Sequence, residues 1–600
     1  MKSFSLRRPW RSSMAAFLIP LLTFLLACGP GEETTPIPAA TATPTAMAVV
    51  TATPTVARAA TPSPTSQGPA ATPTSTSVAV PTPTSTPGEQ PKRGGTLLIV
   101  TAGYPESFDA KLLTNSLGYY EWNAKLYNNL VANYEDDKIE CDVCTGWRVE
   151  NSGKTWVFDL IRGVKFHDGR ELTAEDVKYS LELQMGYVDG LVSPRGGLIK
   201  EFIETVDAPS KYAVRINLFR PTTIQNKLLG IGASVIYPKG TIRTDLQSKP
   251  QGSGPFLLTS AVSGSGYVMD RNPNYFKPGQ PYLDRIEMTS VADLNSRNAL
   301  FLVGKTKYYG DLRDSTVQGF MPTLEKMTAD GKVSRKTVLG GCGPTGVWMN
   351  IAKPPFNDIK VRKVFNLATD RKSLDTVMMG AYGHASLMGF VAGMPYAVPE
   401  EKIWDIVPGW GTGAKKQQEI GQAKQLLIDA GFPNGLDILQ FHTAISAGDV
   451  HIGHEPYQQM LKAVGVRTTL QLMSGPDQLE RMNKGNYTFQ VYILCQTTHD
   501  PDEGIGQQWI TGGARNNVGY SNPEVDKLFL QMISESDFAK KKVIFDKIQD
   551  IIVLQDVAWA PTTQSNGANF WWKDLRGFTT GMNTWAAAGM WRADRYWLQP

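Results

Sequence analysis

TWVFDLIRGVKFHDGRELTAEDVKYS, residues 155–180, holds in order a strand, a tight turn, a second strand and a capped helix. Trp156, Phe158 and Leu160 recur at period two, the pattern of a half-buried strand. Asp168-Gly169 supplies the turn, because glycine enters the positive-φ region without steric cost. Thr173 and Asp176 make a capping box, after which Val177, Leu181 and Met185 fall on one helical face. Outward from this segment the same two periodicities alternate along the chain. Residues 97–100 form an apolar strand behind Lys92-Arg93-Gly94-Gly95-Thr96, where the folded part opens, and Tyr212, Val214, Ile216 and Leu218 give another. Val361, Val364, Phe365 and Ala368 share a helix face, as do Ala423, Leu426, Leu427 and Ala430 ahead of a Gly431 stop and Pro433. Asn522-Pro523 starts a helix striped with Val525, Leu528, Phe529 and Met532. The alternation predicts an α/β architecture, and the stripes are read as core.

With 600 residues the chain exceeds one core, so two or three lobes are expected. A hydrophobic fraction of 42% is that of a globular protein, and the net charge of +4 is spread over interleaved acids and bases. No nucleic-acid footprint is present. At the start, Lys2, Arg7, Arg8 and Arg11 precede an apolar stretch, 14–27, too short to span a bilayer, which reads as a secretory signal over 1–27. Leu25-Leu26-Ala27-Cys28 resembles a bacterial lipobox, with cleavage before Cys28 and lipid on its sulfur; Arg7-Arg8-Pro9-Trp10 fits a twin-arginine signal poorly. Residues 28–91 are then a lipidated cysteine and a Thr/Pro-rich tether with too little apolar bulk to fold. Extended at roughly 3.1 Å per residue it reaches on the order of 200 Å.

Further motifs follow in order: Gly252-Ser253-Gly254-Pro255-Phe256, Arg271-Asn272-Pro273-Asn274-Tyr275-Phe276, Tyr282-Leu283-Asp284-Arg285-Ile286, Pro354-Pro355-Phe356-Asn357-Asp358 with Val361-Arg362-Lys363 and Asp370-Arg371, residues 423–435, and Asp500-Pro501 before Asn522-Pro523-Glu524-Val525-Asp526. With residues 155–180, these make the chain similar to the extracytoplasmic solute-binding proteins of ABC importers, family 5, the dipeptide, oligopeptide and nickel class. The resemblance implies two α/β lobes that close on a ligand by a hinge, a periplasmic-binding-protein-like fold with an extra domain inserted in the first lobe. Carried over, lobe I takes 92–122, 246–341 and 565–600, the extra domain 123–245, and lobe II 342–564. It further implies a small solute, most often a peptide, an ABC permease as partner, and a monomer held extracytoplasmically on the membrane by its N-terminal lipid, with no cofactor and no catalysis. Its ligand loops fall at 104–109, 119–122, 345–350 and 496–500, which makes Tyr104, Glu106, Tyr119, Trp122, Trp348, Asn350, Thr497, His499 and Asp500 the candidate ligand-binding residues, the tryptophans for stacking. Peptide-binding relatives carry an aspartate for the ligand's α-ammonium where this chain has Thr497, and Asp500 or Glu106 is the candidate substitute. Gly254 is read as a backbone turn, Arg362 as helix-surface pairing and His167 as a satisfied position beside a turn.

Besides Cys28, the even count Cys141, Cys144, Cys342 and Cys495 favours disulfides in an oxidising compartment. The resemblance pairs Cys342 with Cys495; Cys141-Asp142-Val143-Cys144 is a local disulfide or half of a zinc site. Three rival functions have residues to speak for or against them. Metal uptake would use His451, His454 and Glu455, with His442 and His499, although solvent-facing polar residues explain that group equally well. Uptake of an oligosaccharide or glycoside would suit the tryptophan and asparagine content. A secreted hydrolase lacks support, because no G-x-S-x-G elbow occurs and His454-Glu455 has no second histidine for H-E-x-x-H.

Overall fold

The computed structural model describes residues 90–599 apart from 106, 112–121, 136–137, 192, 194–195, 223–227, 229–233, 314–318, 341–342, 381–382, 444–452, 474, 495–498, 514, 536 and 579–592. The signal, Cys28 and the tether up to Glu89 lie outside the described residues. Two α/β lobes and an antiparallel domain are built on four larger sheets.

In the first lobe, Thr96–Thr101 pairs in parallel with Arg285–Ser290, which continues antiparallel into Gly266–Arg271 and Phe256–Val262. Leu97, Ile99, Phe256, Met269, Ile286 and Met288 bury its inner face. A second sheet of this lobe sets Gly567–Trp572 between Tyr308–Arg313 and Val333–Val338, antiparallel to both. The other lobe carries a five-stranded sheet in the order Val466–Met473, Leu436–Thr443, Phe489–Ile493, Thr345–Met349 and Trp559–Pro561. Val347, Met349, Phe489 and Val491 pack there with Val361, Val364 and Phe365 of the helix Ile359–Ala368 and with Tyr457 and Leu461 of His454–Ala463.

The opening segment of the sequence lies in the fourth sheet, ordered Cys144–Glu150, Thr155–Leu160, Ala213–Leu218, Ile203–Ser210. Thr173 caps the helix Ala174–Gln184, with Asp176 accepting from Thr173 N at 2.8 Å, and Gly169 has φ +89°. Two readings need correction. The strand Thr155–Leu160 is buried on both faces except at Asp159, because it is interior to the sheet and Val157 stands in register between Arg148 and Arg215. The strand expected after the turn is a single bridge, Lys165 to Glu171. The apolar cluster of this sheet is continuous with that of the second lobe, where Gly197–Lys200 packs on the helix Pro501–Gln508, all of whose residues are buried.

Candidate functional site

Strand direction decides what the second lobe gathers at one edge. Leu436–Thr443, Val466–Met473 and Phe489–Ile493 run parallel and end together, while Thr345–Met349 runs oppositely and starts there, Thr345 facing Ile493. Trp559–Pro561 ends there too, with Pro561 opposite Gly346. At this edge lie Leu494, Gly343-Pro344 of the crossing from the first lobe, and the start of the crossing back to it, Thr562 to Asn566. The strand ends, where α/β proteins commonly bind ligands, and the crossings between lobes therefore share one rim.

Asp500 is the N-cap of Pro501–Gln508, accepting from Asp502 N at 3.0 Å. Lys541 Nζ lies 3.1 Å from Asp500 and 2.9 Å from Asp502, both nearly buried. Burial opposes the Lys541 charge, but Asp502 and Asp500 outweigh it and hold its pKa above the ordinary value. Asp500, the candidate substitute for a ligand-binding aspartate, thus shares one lysine with Asp502 inside the protein. His499, beside it, is half-buried.

Antiparallel pairing also separates residues that the sequence groups together. Asn350 N donates to Thr488 O at 2.9 Å, and its side chain donates to Gly485 O and Tyr487 O at 2.9 and 3.0 Å. It thus lies at the opposite end of the sheet from Ile493 and serves the backbone there. Trp348 is interior to the sheet, with Trp509 stacked on it at 6.1 Å and Trp559 edge-on at 5.3 Å, and it donates from Nε1 to Tyr492 O. Trp122 is completely buried between Phe108 and Tyr127. Both tryptophans meet protein rings where a solute was expected. In the first lobe Tyr104 is half-buried edge-on to Tyr267, and burial raises its pKa. Behind it Asp109 accepts from Tyr237 OH at 2.9 Å, and Lys111, whose burial lowers its pKa to about 7, donates to Val235 O at 2.8 Å. Glu106, Tyr119, Thr497, Cys342 and Cys495 lie outside the described residues.

The hinge residues are what the sequence reading misses. Thr345 N donates to Thr563 O and Thr562 N to Thr345 O, each at 2.8 Å, and the Thr345 and Thr562 hydroxyls meet at 2.6 Å. Gln564 Nε2 donates to Gly340 O at 2.6 Å across the two crossings, and Thr563 donates to Asp375. The clue lies in Thr562-Thr563-Gln564-Ser565-Asn566, a polar run directly after an apolar strand, whose first four members are buried. Burial of so many polar groups requires partners, and the partners tie the lobes together.

Other motifs form scaffold. His167 Nδ1 accepts from Gly252 N at 3.4 Å and its Nε2 donates to Gly254 O at 3.2 Å, which Asn272 Nδ2 also reaches at 3.0 Å. Gly254 is corrected from a turn glycine to one of close approach: a Cβ there would overlap the backbone of Leu126. Arg362 is corrected from the surface to the interior, donating to Phe356 O and Asp556 O at 2.8 and 2.9 Å. His454 is buried at the start of its helix, which corrects the solvent-facing reading; His451 is not among the described residues. Cys141 and Cys144 stand with their sulfurs at bonding distance and Cα atoms 5.0 Å apart, around Asp142, which accepts from Asn128 and Asn129 and faces Lys277 at 3.4 Å.

Comparison with known proteins agrees with this arrangement. The family described as "Bacterial extracellular solute-binding proteins, family 5 Middle" matches residues 138–516. The oligopeptide-binding protein AppA of Bacillus subtilis (strain 168) is 26% identical over 477 residues, 75% of this chain and 82% of that protein. Heme-binding protein A of Haemophilus influenzae is 25% identical over 503 residues, 79% of this chain and 87% of that one. The ABC transporter-associated periplasmic binding protein DppA of Helicobacter pylori, solved with the peptide STSA, shares the fold with a TM-score of 0.70 at 21% identity, over 85% of this chain and 99% of that one. These relatives are named for binding, and a family match over more than half of the sequence makes this chain a member of the bacterial extracellular solute-binding proteins, family 5.

Proposed function

We propose that the protein captures a peptide or peptide-like solute between its lobes and delivers it to an ABC permease, while a lipid on Cys28 and the Thr/Pro-rich tether hold it on the outer face of the cytoplasmic membrane. It acts as a monomer and without catalysis. The observation that carries this reading is the shared rim, where both crossings meet the edge of the five-stranded sheet at which Phe489–Ile493 ends, so that rotation about the crossings moves that edge against the first lobe. The lobe assignments 92–122, 246–341 and 565–600 against 342–564, with 123–245 as the extra domain, are supported by the residues that each sheet draws on. The peptide class is supported by the name of the Bacillus relative and by the peptide bound to the Helicobacter one.

Tyr104, Glu106, Tyr119, Thr497 and His499 are the residues proposed to meet the solute, since Trp122, Trp348, Asn350 and Asp500 are engaged by protein. With Thr497 uncharged and Asp500 drawn into a group with Lys541 and Asp502, the site is proposed not to depend on a charged peptide N-terminus. We also propose disulfides Cys141–Cys144 and Cys342–Cys495; the second is supported by the hydrogen bond from Leu494 N to Pro344 O at 2.8 Å, which aligns the flanking segments. Non-reducing peptide mapping is expected to recover both linked pairs, and alkylation of Cys342 or Cys495 in the native protein would count against the second. The decisive experiment is native mass spectrometry of protein purified without refolding, followed by small-angle scattering with the ligand so identified. A co-purified peptide and a smaller radius of gyration are the expected results. A bound glycoside would replace the peptide class, and turnover of the ligand would replace the binding role altogether.

A further inference from the structure

Asn566, on the returning crossing, accepts at Oδ1 from Gly340 N of the outgoing crossing at 2.9 Å. That bond turns its amide nitrogen toward His384 Nε2, at 3.0 Å. His384 Nδ1 lies 2.8 Å from a carboxylate oxygen of Glu400, at the start of the helix Glu400–Ile406. An ionised carboxylate only accepts and an amide NH2 only donates, so the proton belongs on Nδ1 and Nε2 presents a lone pair. The three contacts are satisfied together by one protonation state, the neutral imidazole. Pairing of Gly383–His384 with Gln564–Ser565 holds the ring against the returning crossing.

We propose that His384 is a positioning residue of lobe closure, latching the two crossings together while neutral and releasing them when protonated, so that the solute-free separation of the lobes depends on pH. The proposal rests on the closure reading above. A proton added at Nε2 points at the Asn566 NH2 group, and turning the amide over only moves the donor–donor conflict to Gly340 N. Acid therefore costs a hydrogen bond at the crossings whichever way Asn566 faces. The charged groups around the ring act on how readily this happens. Glu400 favours the imidazolium, and so does the carboxylate of Asp375 on the helix Arg371–Met378, which accepts from Thr563; burial raises the Asp375 pKa, while Thr563 and Lys372 help to keep it ionised. An imidazole titrates near 6.5 when unperturbed, within reach of ordinary environments.

The test uses the full chain without solute, from about pH 8 to about pH 5, reading the histidine ring by 15N NMR and lobe separation by small-angle scattering. At the upper limit His384 should show the Nδ1–H tautomer, and lobe separation should change as its signals titrate. Asn566→Asp supplies an acceptor to both Gly340 N and a protonated His384. It should keep the pH 8 dimensions in acid and raise the His384 midpoint by about one unit or more. Glu400→Gln, which keeps a hydrogen-bonding partner but removes the charge, should move the wild-type transition to lower pH and serves if the first variant does not fold. An Nε2–H tautomer in the wild type, constant dimensions while His384 titrates, or identical pH responses in wild type and variants would overturn the proposal. Peptide binding at pH 8 is scored separately, so loss of the latch and loss of the solute reading are distinct results.

Discussion

The Gly254 carbonyl receives hydrogen bonds from both His167 and Asn272, so three separate sequence motifs meet on one oxygen. Its own N–H donates to Leu126 O at 3.0 Å, an approach that leaves no room for a Cβ. Gly254→Ala is expected to cost about 3 kcal/mol or more, as a urea midpoint shift at unchanged slope, because the neighbour in the way is backbone and cannot rotate aside. Burial lowers the His167 pKa to about 4, against roughly 6.5 for an unfolded histidine. Between these values the unfolded chain binds a proton that the native state does not, so stability falls as pH drops from about 6.5 toward about 4 and is untouched by this group above. His167→Gln should flatten that part of a denaturation midpoint–pH profile while lowering the plateau. The sequence shows that His167 adjoins a turn; it does not show that the turn packs on Gly252 and Gly254, since that contact joins distant segments.

Helices and strands of the second lobe show why element boundaries were legible and partners were not. The Asn522 cap and the Gly431 stop are local signals, and both appear where the sequence places them, Asn522 accepting from Glu524 N at 2.9 Å. The helix Pro501–Gln508, PDEGIGQQ, has the composition of an exposed turn and is wholly buried. Gly506 permits this, as a Cβ there would press on Phe529 at 2.7 Å. The family resemblance implies ligand loops at both 345–350 and 496–500; the antiparallel register, invisible in either segment alone, sends Asn350 to the other end of the sheet. The Asp500, Asp502 and Lys541 group is argued at this scale, since it locks two helices. Lys541→Met leaves two carboxylates facing each other away from water and should cost roughly 3–5 kcal/mol. Adding Asp500→Asn and Asp502→Asn should recover part of that loss, as read by the same midpoint measurement.

At the scale of the molecule, the alternation of strand and helix signals was enough for an α/β fold, and the family motifs for its two lobes. The polar hinge was not legible, because Thr562-Thr563-Gln564-Ser565-Asn566 resembles a surface turn until its partners on the outgoing crossing are known. A whole-molecule prediction follows from the return of the chain to its first lobe. A truncation after Asn566 removes Gly567–Trp572, the strand between Tyr308–Arg313 and Val333–Val338. Limited proteolysis of that truncated chain should degrade the first lobe while a fragment spanning about 345–561, which holds every strand of the five-stranded sheet, stays protected. Equal protection of both lobes would show that the returning strand is dispensable.

That central strand also sets an order of events during synthesis. The lobe that the ribosome begins first cannot be completed until residue 572 has emerged, about 230 residues after its strand Val333–Val338 and after the second lobe has all its strands. For that interval Tyr308–Arg313 and Val333–Val338 each present an unpaired edge to the strand that is still missing, and open edges recruit other chains. Expression yield should therefore respond to whatever shields a growing chain more than to the stability of the finished protein.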